Sequence, residues 1–332
     1  MKKIKKIKKK KNKLVRKNKN LYKLISMNML INLIIFTIVL FLYLHITFQL
    51  KINNDLEILE ITEPTKGQLE EICDLRQPVI FNFDNKIIDL FNFEKLNDEY
   101  SVFDIKIRNK NEEEDSELYL PLVYKEALIL LENDKDKRYI CENNKDFLEE
   151  TSLLKLYNNN DLFLRPHFVS SCMYDLLIGF PDMYTYFKYD IFYRNYFVVT
   201  EGKVIIRLTP PKNKKYLNLK KDYELLEYLS DVDIWNVQKK YINNYEKIKC
   251  LDIEMSKGQI IYIPAYWFYS IKYIEKSMIC NFKYSTFMNN CAIIPEYIMH
   301  LLQSNNTKRK LADIKKVVNK QVNKIDVSFN IN

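Results

Sequence analysis

The sequence of 332 residues contains only four glycines, Gly67, Gly179, Gly202 and Gly258. A dinucleotide-binding GxGxxG motif and a phosphate-binding GxxxxGK loop each need glycines within a few residues of one another, and these four lie much farther apart. A GxSxG nucleophile elbow, which presents the serine of many hydrolases, is missing for the same reason. Nucleotide-binding folds built on such loops are therefore excluded.

Histidine is also scarce, with only His45, His167 and His300. His45 lies inside a long apolar segment, so only the other two could ligate a metal in a folded domain. His167 precedes the central predicted strands and His300 falls on a late predicted helix, and we expect both to be ordinary structural or surface residues. The six cysteines form no CxxC pair, which argues against a zinc site. Their wide spacing leaves disulfides and buried free thiols both open.

Acidic residues are absent from residues 1–28, which hold 13 Lys and Arg. The tail from Ser304 holds 7 basic residues against 2 acidic ones, whereas residues 51–303 hold 32 against 41. The net charge of +9 therefore belongs to the two ends of an otherwise acidic chain. A groove that neutralises phosphates would need the opposite distribution, so we expect no nucleic-acid partner.

Charge of either sign is absent from residues 24–50, and residues 29–50 are dominated by Leu, Ile, Phe and Val. As a helix, the apolar part would extend roughly 33 Å, enough to cross a hydrocarbon core of about 30 Å. This run is longer than that of a cleaved signal peptide, and no small-residue cleavage site follows it. The sequence therefore predicts an uncleaved transmembrane anchor.

The flanking charges predict the orientation of this anchor. Basic residues precede it and acidic residues follow it, and positively charged flanks stay on the cytoplasmic side. We expect a single-pass type II membrane protein whose basic N-terminus contacts anionic lipid and whose large domain is lumenal or exterior. The predicted organisation is a cytoplasmic segment at 1–28, an anchor at 29–50, a stalk at 51–74, a domain at 75–303 and a basic tail at 304–332.

Beyond the anchor the sequence predicts a β-rich domain. Several runs alternate apolar with polar residues, and Gly202 and Gly258 mark tight turns between neighbouring runs. The predicted strands lie at 78–83, 102–108, 194–200, 203–209, 248–255, 259–263, 267–273 and 278–284. Helical patterns lie at 122–131, 146–156, 223–245 and 295–302, and a basic amphipathic stretch follows at 308–322.

Three segments of this domain carry a family resemblance: 76–81 (RQPVIF), 193–211 (YRNYFVVTEGKVIIRLTPP) and 258–271 (GQIIYIPAYWFYSI). Their order, their separation and the PxYW element resemble the cupin-like proteins related to the JmjC oxygenases, especially those of the asparaginyl-hydroxylase type. The chain is also similar to cupin-like proteins of large DNA viruses. The resemblance implies a mainly β fold with flanking helices, a double-stranded β-helix (cupin or jelly-roll barrel), preceded here by one transmembrane helix. It also implies that the open end of the barrel holds a cofactor and substrate.

Hydroxylases of this family bind iron through a His-x-Asp pair on one strand and a His on a later strand, leaving room for 2-oxoglutarate and oxygen. Counting back from Asn195 places the pair on Tyr189 and Ile191. A shift of one position would make Asp190 the acid. By this count the resemblance implies that the pair is missing.

The later histidine and the 2-oxoglutarate lysine of the family are missing as well. Counting from Trp267 places the histidine on Tyr269, and the lysine falls on Val204, beside Lys203 on the opposite face of the strand. We therefore expect no metal-binding or catalytic residue and no cofactor. Iron and 2-oxoglutarate would enter only through a non-standard site.

The resemblance places several candidate pocket residues near the implied iron site: Tyr186, Tyr189, Arg194, Asn195, Tyr262 and Tyr269. Tyrosine rings could stack on a ligand or close an empty barrel. Arg194 could hold a carboxylate through two hydrogen bonds, or could pair with Asp190 or Asp182. Trp267 is expected to pack in the core.

Two hypotheses about function follow from these residues. The first is a membrane-anchored cupin-like domain without an iron site, which acts as a binding or structural module for an unknown small molecule or protein. The alternative is a divergent hydroxylase that uses iron and 2-oxoglutarate at a non-standard site.

Overall fold

A computed structural model of the chain describes residues 27–110 and 119–306. The chain divides into two compact units with a boundary between Leu50 and Lys51. The predicted basic segment at 1–28, apart from its last two residues, and the predicted basic stretch at 308–322 lie outside the described residues.

The first unit contains helix α1 (Met27–Gln49). It has 23 residues, and an 18-residue window within it has a mean hydropathy of 2.5, so it is long and apolar enough to cross a membrane. The hydroxyls of Thr37 and Thr47 donate to backbone carbonyls one turn earlier, at 2.9 and 2.8 Å, so they add no unsatisfied polar group to its surface. The apolar helix predicted near the N-terminus is therefore present.

The second unit is a β-rich domain flanked by helices. Its described strands are β1 (Leu59–Ile61), β2 (Val79–Asn82), β3 (Asp104–Asn109), β4 (Leu120–Val123), β5 (Tyr139–Cys141), β6 (Val169–Gly179), β7 (Lys188–Tyr189), β8 (Arg194–Glu201), β9 (Lys203–Thr209), β10 (Leu219–Asp222), β11 (Glu227–Ser230), β12 (Leu251–Ser256), β13 (Gln259–Tyr262), β14 (Phe268–Tyr273) and β15 (Ser277–Thr286). Its described α-helices are α2 (Lys66–Cys73), α3 (Ile87–Leu90), α4 (Phe93–Tyr100), α5 (Tyr124–Asn133), α6 (Lys145–Glu150), α7 (Leu154–Asn160), α8 (Ile242–Tyr245), α9 (Phe287–Ala292) and α10 (Ile294–Ser304).

These strands form two sheets that face each other. The larger sheet has the strand order β1-β2-β13-β8-β15-β6-β5-β3-β4, and the smaller has the order β10-β11-β7-β14-β9-β12. Phe197 on β8 of the larger sheet packs against Tyr269 on β14 of the smaller one, with ring centroids 5.2 Å apart. This is the double-stranded β-helix that the sequence predicts.

Alternation along the strands fills the space between the sheets with apolar side chains. On β9 the residues Val204, Ile206 and Leu208 are fully buried in the main core. A second cluster, which includes Tyr189, Tyr228 and Phe268, covers the outer face of the smaller sheet. The outer face of the smaller sheet is therefore buried around β7, β11 and β14, whereas the outward side chains of β12, Asp252 and Glu254, are exposed.

The predicted stalk is folded into this domain from Leu59 onwards. Strand β1 pairs in parallel with β2, and α2 begins at a capping box in which the Thr65 side chain and Gln68 exchange hydrogen bonds. Leu69 and Cys73 on α2 are buried in the main core. The short acidic segment after α1 is therefore part of the folded domain from Leu59 onwards.

The helix predicted at 223–245 is mostly absent. Residues 227–230 form strand β11, and only the short helix α8 lies near the end of the predicted range. The Asp222 carboxylate accepts a hydrogen bond from the Glu224 backbone N–H at 2.8 Å, and Leu226 has a φ of 53°. These features form the turn of a β-hairpin, and pairing of β11 with β7 then outweighs the local helical pattern.

Candidate functional site

A polar cluster surrounds Asp190, directly after β7 on the inner side of the barrel. One oxygen of its carboxylate, Oδ2, accepts hydrogen bonds from the Tyr269 hydroxyl at 2.6 Å and the Asn195 amide at 2.9 Å. The Lys283 ammonium lies 3.1 Å from the other oxygen, Oδ1. Asp190, Asn195, Tyr269 and Lys283 are called the Asp190 cluster below. Because Tyr269 belongs to the smaller sheet and Asn195 and Lys283 to the larger, this carboxylate joins the two sheets.

Strand alternation explains why these side chains meet. On β15, Phe282 lies in the main core behind the sheet, so Asn281 and Lys283 on either side of it point into the barrel. The Asn281 amide donates to the Asn195 side-chain oxygen at 2.7 Å and to the Tyr196 carbonyl at 2.9 Å. The cluster is therefore held by a hydrogen-bonded layer on the larger sheet.

Lys188 extends the cluster along β7. Its ammonium lies 2.6 Å from the carboxylate of Glu142, whose side chain is only 2% exposed. Residues two apart on a strand share a face, so Lys188 and Asp190 both point inwards and the intervening Tyr189 points outwards. The barrel end therefore carries two neighbouring ion pairs, Lys188 with Glu142 and Lys283 with Asp190.

The electrostatics of this region favour an ionised Asp190. Burial alone would raise the pKa of its carboxyl, but the Lys283 and Lys188 ammonium groups and the Tyr269 hydroxyl outweigh burial and hold that pKa below its usual value. Burial and the nearby Asp190 charge raise the pKa of Tyr269, so its hydroxyl stays protonated and donates. The side chains of Asp190 and Lys283 are 13% and 17% exposed, respectively, so the pair still reaches solvent.

The residues present do not fit the ferrous iron site that the fold implies. With the register shifted by one position, the resemblance sets the inward-facing Lys188-x-Asp190 against the His-x-Asp pair, and it sets Tyr269 against the later His. A charged ammonium only donates, so Lys188 and Lys283 cannot ligate a metal, and the lone remaining carboxylate already accepts three hydrogen bonds. Within 27–110 and 119–306, no three His, Cys, Asp or Glu side chains are grouped so that they could hold a metal ion.

The predicted positions of the His-x-Asp pair, Tyr189 and Ile191, lie on the wrong side of the smaller sheet. Both belong to the outer cluster, where Tyr189 stacks on Tyr228 with ring centroids 4.8 Å apart. The structure has one more residue between the inward-facing acid and Asn195 than the sequence count assumed. Asp190 is therefore the inward-facing acid, as the alternative register proposed.

Two further predicted pocket residues, Arg194 and Tyr262, face away from the barrel interior and towards α2. Arg194 pairs with Asp74 and lies over the Tyr262 ring, with its guanidinium carbon 5.5 Å from the ring centroid. The Tyr262 hydroxyl donates to the backbone carbonyl of Cys73 at 3.2 Å. These residues fasten α2 to the larger sheet.

The partners considered for Arg194 from the sequence are engaged elsewhere. Asp190 pairs with Lys283, and the exposed Asp182 lies 3.1 Å from Lys272. The structure therefore assigns Arg194 a contact with α2 that strand patterns could not reveal.

Tyr186 lies apart from the other predicted residues, in the wall of a cavity at the edge of the smaller sheet. The Arg108 guanidinium lies over its ring, 5.0 Å from the centroid. Of the predicted pocket residues, only Asn195 and Tyr269 therefore meet at the barrel end.

Lys188, Lys283 and Asn281 were not predicted as site residues. The Lys-x-Asp spacing of Lys188 and Asp190 was the available signal, because it places two charged residues on one strand face. The contribution of β15 depends on long-range pairing, since Asn281 and Lys283 lie far along the chain from Asp190.

The histidines and cysteines lie outside the Asp190 cluster. His167 is 71% exposed and lies 3.4 Å from Glu70, and the Nδ1 atom of His300 is 2.8 Å from the Tyr223 carbonyl oxygen. His45 lies on α1 against Phe41. All six cysteines are free thiols.

Comparison with known families agrees with this fold. A family model for the cupin-like domain matches residues 60–290, more than half of the chain, and the chain therefore belongs to the cupin-like domain family. No protein with a curated description matches it.

Proposed function

We propose that this chain is a membrane-anchored cupin-like protein whose barrel acts as a binding or structural module and lacks the family's iron site. The observation that carries the proposal is the ion pair between Lys283 and Asp190, whose atoms are 3.1 Å apart. It places an ammonium group beside the one acid that remains from the implied ligand set.

Metal binding at this position would have to break that pair. Separating one partner of a largely buried ion pair typically costs about 3 to 5 kcal/mol, because the other charge is left uncompensated. The same carboxylate would also give up its hydrogen bonds from Tyr269 and Asn195. The free energy gained by binding a metal ion would offset little of this loss, because no imidazole faces the carboxylate to act as a further ligand.

The charges at the barrel end are matched in pairs. Lys188 pairs with Glu142, Lys283 with Asp190, and Arg108 with Glu227 at 2.8 Å. Counting the described residues, these three pairs leave the barrel end with hydrogen-bonding groups whose charges are matched. This end therefore suits a neutral polar ligand or a protein segment better than a dianionic co-substrate.

The membrane part of the proposal is supported by α1 and by the charges that flank it. The helix is long and apolar enough to span, and residues 1–28 carry 13 basic residues and no acidic ones. The positive-inside rule then favours a type II orientation, with the cupin-like domain on the lumenal or exterior side.

The test is to load the purified full-length protein with Fe(II) in detergent without oxygen, remove excess metal, and measure bound iron and 2-oxoglutarate consumption. An Asp190→Asn variant is the matched control, because adventitious iron elsewhere would remain in it. We expect equal, substoichiometric iron in both proteins and no turnover. Stoichiometric iron that is lost in the variant, together with turnover, would favour the divergent hydroxylase instead.

A further inference from the structure

A cavity of about 370 Å³ lies between the end of β3, the segment that precedes β7 and the loop after β11. Its walls include Tyr184, Tyr186, Ile234 and Trp235. Its volume lies within the range of small-molecule sites, and such sites combine apolar walls with a few polar groups that fix the orientation of the ligand.

Most polar side chains of this wall are already engaged. Arg108 pairs with Glu227 at 2.8 Å, and the Trp235 indole N–H donates to the Ser270 hydroxyl at 2.9 Å. The Tyr184 hydroxyl donates to the carboxylate of Asp233. These groups shape the cavity: Glu227 compensates the charge of Arg108, and the Asp233 carboxylate is held by hydrogen bonds from the Tyr184 hydroxyl and the Trp235 backbone N–H.

Lys110 is different. Its ammonium lies 3.4 Å from the centroid of the Tyr184 ring and donates to the Tyr184 carbonyl at 3.1 Å. Among the residues that the structure describes, no carboxylate lies within ion-pairing distance of it. An ammonium has three donors; the Tyr184 carbonyl takes one and the face of the Tyr184 ring a second, so within the described residues one remains for a ligand in the cavity.

We propose that this cavity binds a small organic acid with an apolar body, whose carboxylate pairs with Lys110. The aromatic and aliphatic walls would cover the body, and the Lys110 ammonium would supply a positive charge without an ion-pair partner among the described residues. In the same wall Asp231 pairs with Lys220, and the Asp233 carboxylate accepts a hydrogen bond from the Tyr184 hydroxyl. The proposal is independent of the Asp190 cluster, because none of the residues of that cluster lines the cavity.

The protonation behaviour of Lys110 agrees with this geometry. Burial lowers its pKa to about 8, and the more distant carboxylates of Asp233 and Asp134 only partly oppose burial. Arg108 and Lys220 also face the cavity, as do the neutral hydroxyls of Tyr184 and Tyr186. A bound carboxylate would hold Lys110 in its charged form. The affinity for the organic acid should therefore fall as the pH rises above the pKa of Lys110 in the ligand-free protein.

Binding of 2-naphthoate and of its neutral amide, 2-naphthamide, to the full-length protein in detergent tests this proposal. We expect saturable binding of naphthoate at about pH 6.5 that weakens more than tenfold by about pH 9.5, because naphthoate stays ionised while Lys110 loses its proton. Naphthamide should bind at least tenfold more weakly at the lower pH.

Variants separate the charge of Lys110 from a structural role. Lys110→Met should abolish the preference for naphthoate, whereas Lys110→Arg should retain binding and lose the pH dependence, because arginine does not titrate in this range. Lys106→Met is the matched control, because Lys106 lies on β3, the strand that ends just before Lys110, and pairs with Asp146 at the surface. Absence of saturable naphthoate binding, equal binding of the amide, or an unchanged pH profile in Lys110→Arg would each overturn the proposal.

Discussion

The Asp190 carboxylate joins the two sheets at one end of the barrel. Its two oxygens accept from a hydroxyl, an amide and an ammonium that come from three different strands. A hydrogen bond to a charged group is worth about 1.5 to 3 kcal/mol, more than one between neutral groups. The site is therefore a structural tie between the sheets as well as a candidate binding surface.

Replacing Asp190 by Asn should lower the free energy of unfolding by about 2 to 4 kcal/mol at neutral pH, because Lys283 is left largely buried without its counter-charge. Asp182→Asn is the matched control. Asp182 also pairs with a lysine, but its side chain is 73% exposed, so its loss should change stability by less than about 1 kcal/mol. Chemical denaturation of the full-length proteins in detergent measures both values.

The pH dependence of this difference has a defined sign. The pKa of Asp190 is lowered in the folded protein, so its contribution is present above the pKa of the unfolded chain, about 4, and is lost as the pH falls through the folded value. The two proteins should therefore converge in stability in acid. A difference that instead grew as the pH fell would contradict an ionised Asp190.

Single residues of the site were predictable to different degrees. Tyr269 could be placed from the PxYW element, because Pro264 to Tyr269 is a short and continuous segment. The acid could not be placed by counting from Asn195, because the irregular backbone between β7 and β8 holds one more residue than the count assumed. Such an insertion changes which side chains face inwards.

At the scale of elements, the turn between β8 and β9 takes the chain directly from a central strand of the larger sheet to a strand of the smaller sheet. Gly202 occupies this turn with a φ of +79°, and a Cβ there would lie 2.3 Å from the Lys276 carbonyl oxygen. The backbone conformation and the space both require glycine. The same strands carry Asn195 and the apolar filling of the barrel, so strain here reaches the site.

Gly202→Ala should destabilise the domain by about 2 kcal/mol or more, since alanine meets both a left-handed backbone and a backbone contact. Gly67→Ala provides the control. Gly67 lies in α2 with nothing within 4 Å of the added Cβ, so helix propensity should stabilise the protein by up to about 1 kcal/mol. The midpoint temperature of thermal unfolding should fall for Gly202→Ala and rise for Gly67→Ala. Similar shifts in the two variants would refute this account of the turn.

Strands were predictable where alternation is clear and where a glycine ends the run, as for β8 and β9. Strand β6 was not predicted, although it is 11 residues long and pairs along most of its length with β15. Its run VSSCMYDLLIG begins with small polar residues and ends in a continuous apolar stretch, so it shows no single period. Its conformation follows from pairing with β15.

At the scale of the whole molecule, the charge distribution and α1 together predict topology. The sequon at Asn305, Asn306 and Thr307 reports it, because only a lumenal asparagine can be glycosylated. Translation into microsomes should give a glycosylated product that an endoglycosidase reduces in size, and Asn305→Gln should remove this shift. Protease digestion of sealed microsomes should spare the cupin-like domain. A domain that is digested and carries no glycan would show the opposite orientation.

The apolar helix near the N-terminus and the fold class were accessible from sequence because each rests on long, repeated signals. A prediction from the apolar length of α1 or from the spacing of the family segments stays correct even when an element boundary is misplaced by one or two residues. A prediction of the site fails with such an error, because the chemistry of the site depends on which of two neighbouring side chains faces inwards. It also depends on β15, which is distant in sequence from β7.

The central claim is that a lysine–aspartate pair stands where the family places its metal, and metal affinity tests it most directly. Fe(II) and Co(II) binding should be compared in the wild type and in a variant that combines Lys188→His, Tyr269→His and Lys283→Met, which restores a His-x-Asp pair and a later His while removing the competing ammonium. We expect no saturable site in the wild type and a stoichiometric site in the variant. Stoichiometric binding by the wild type that depends on Asp190 would contradict the account.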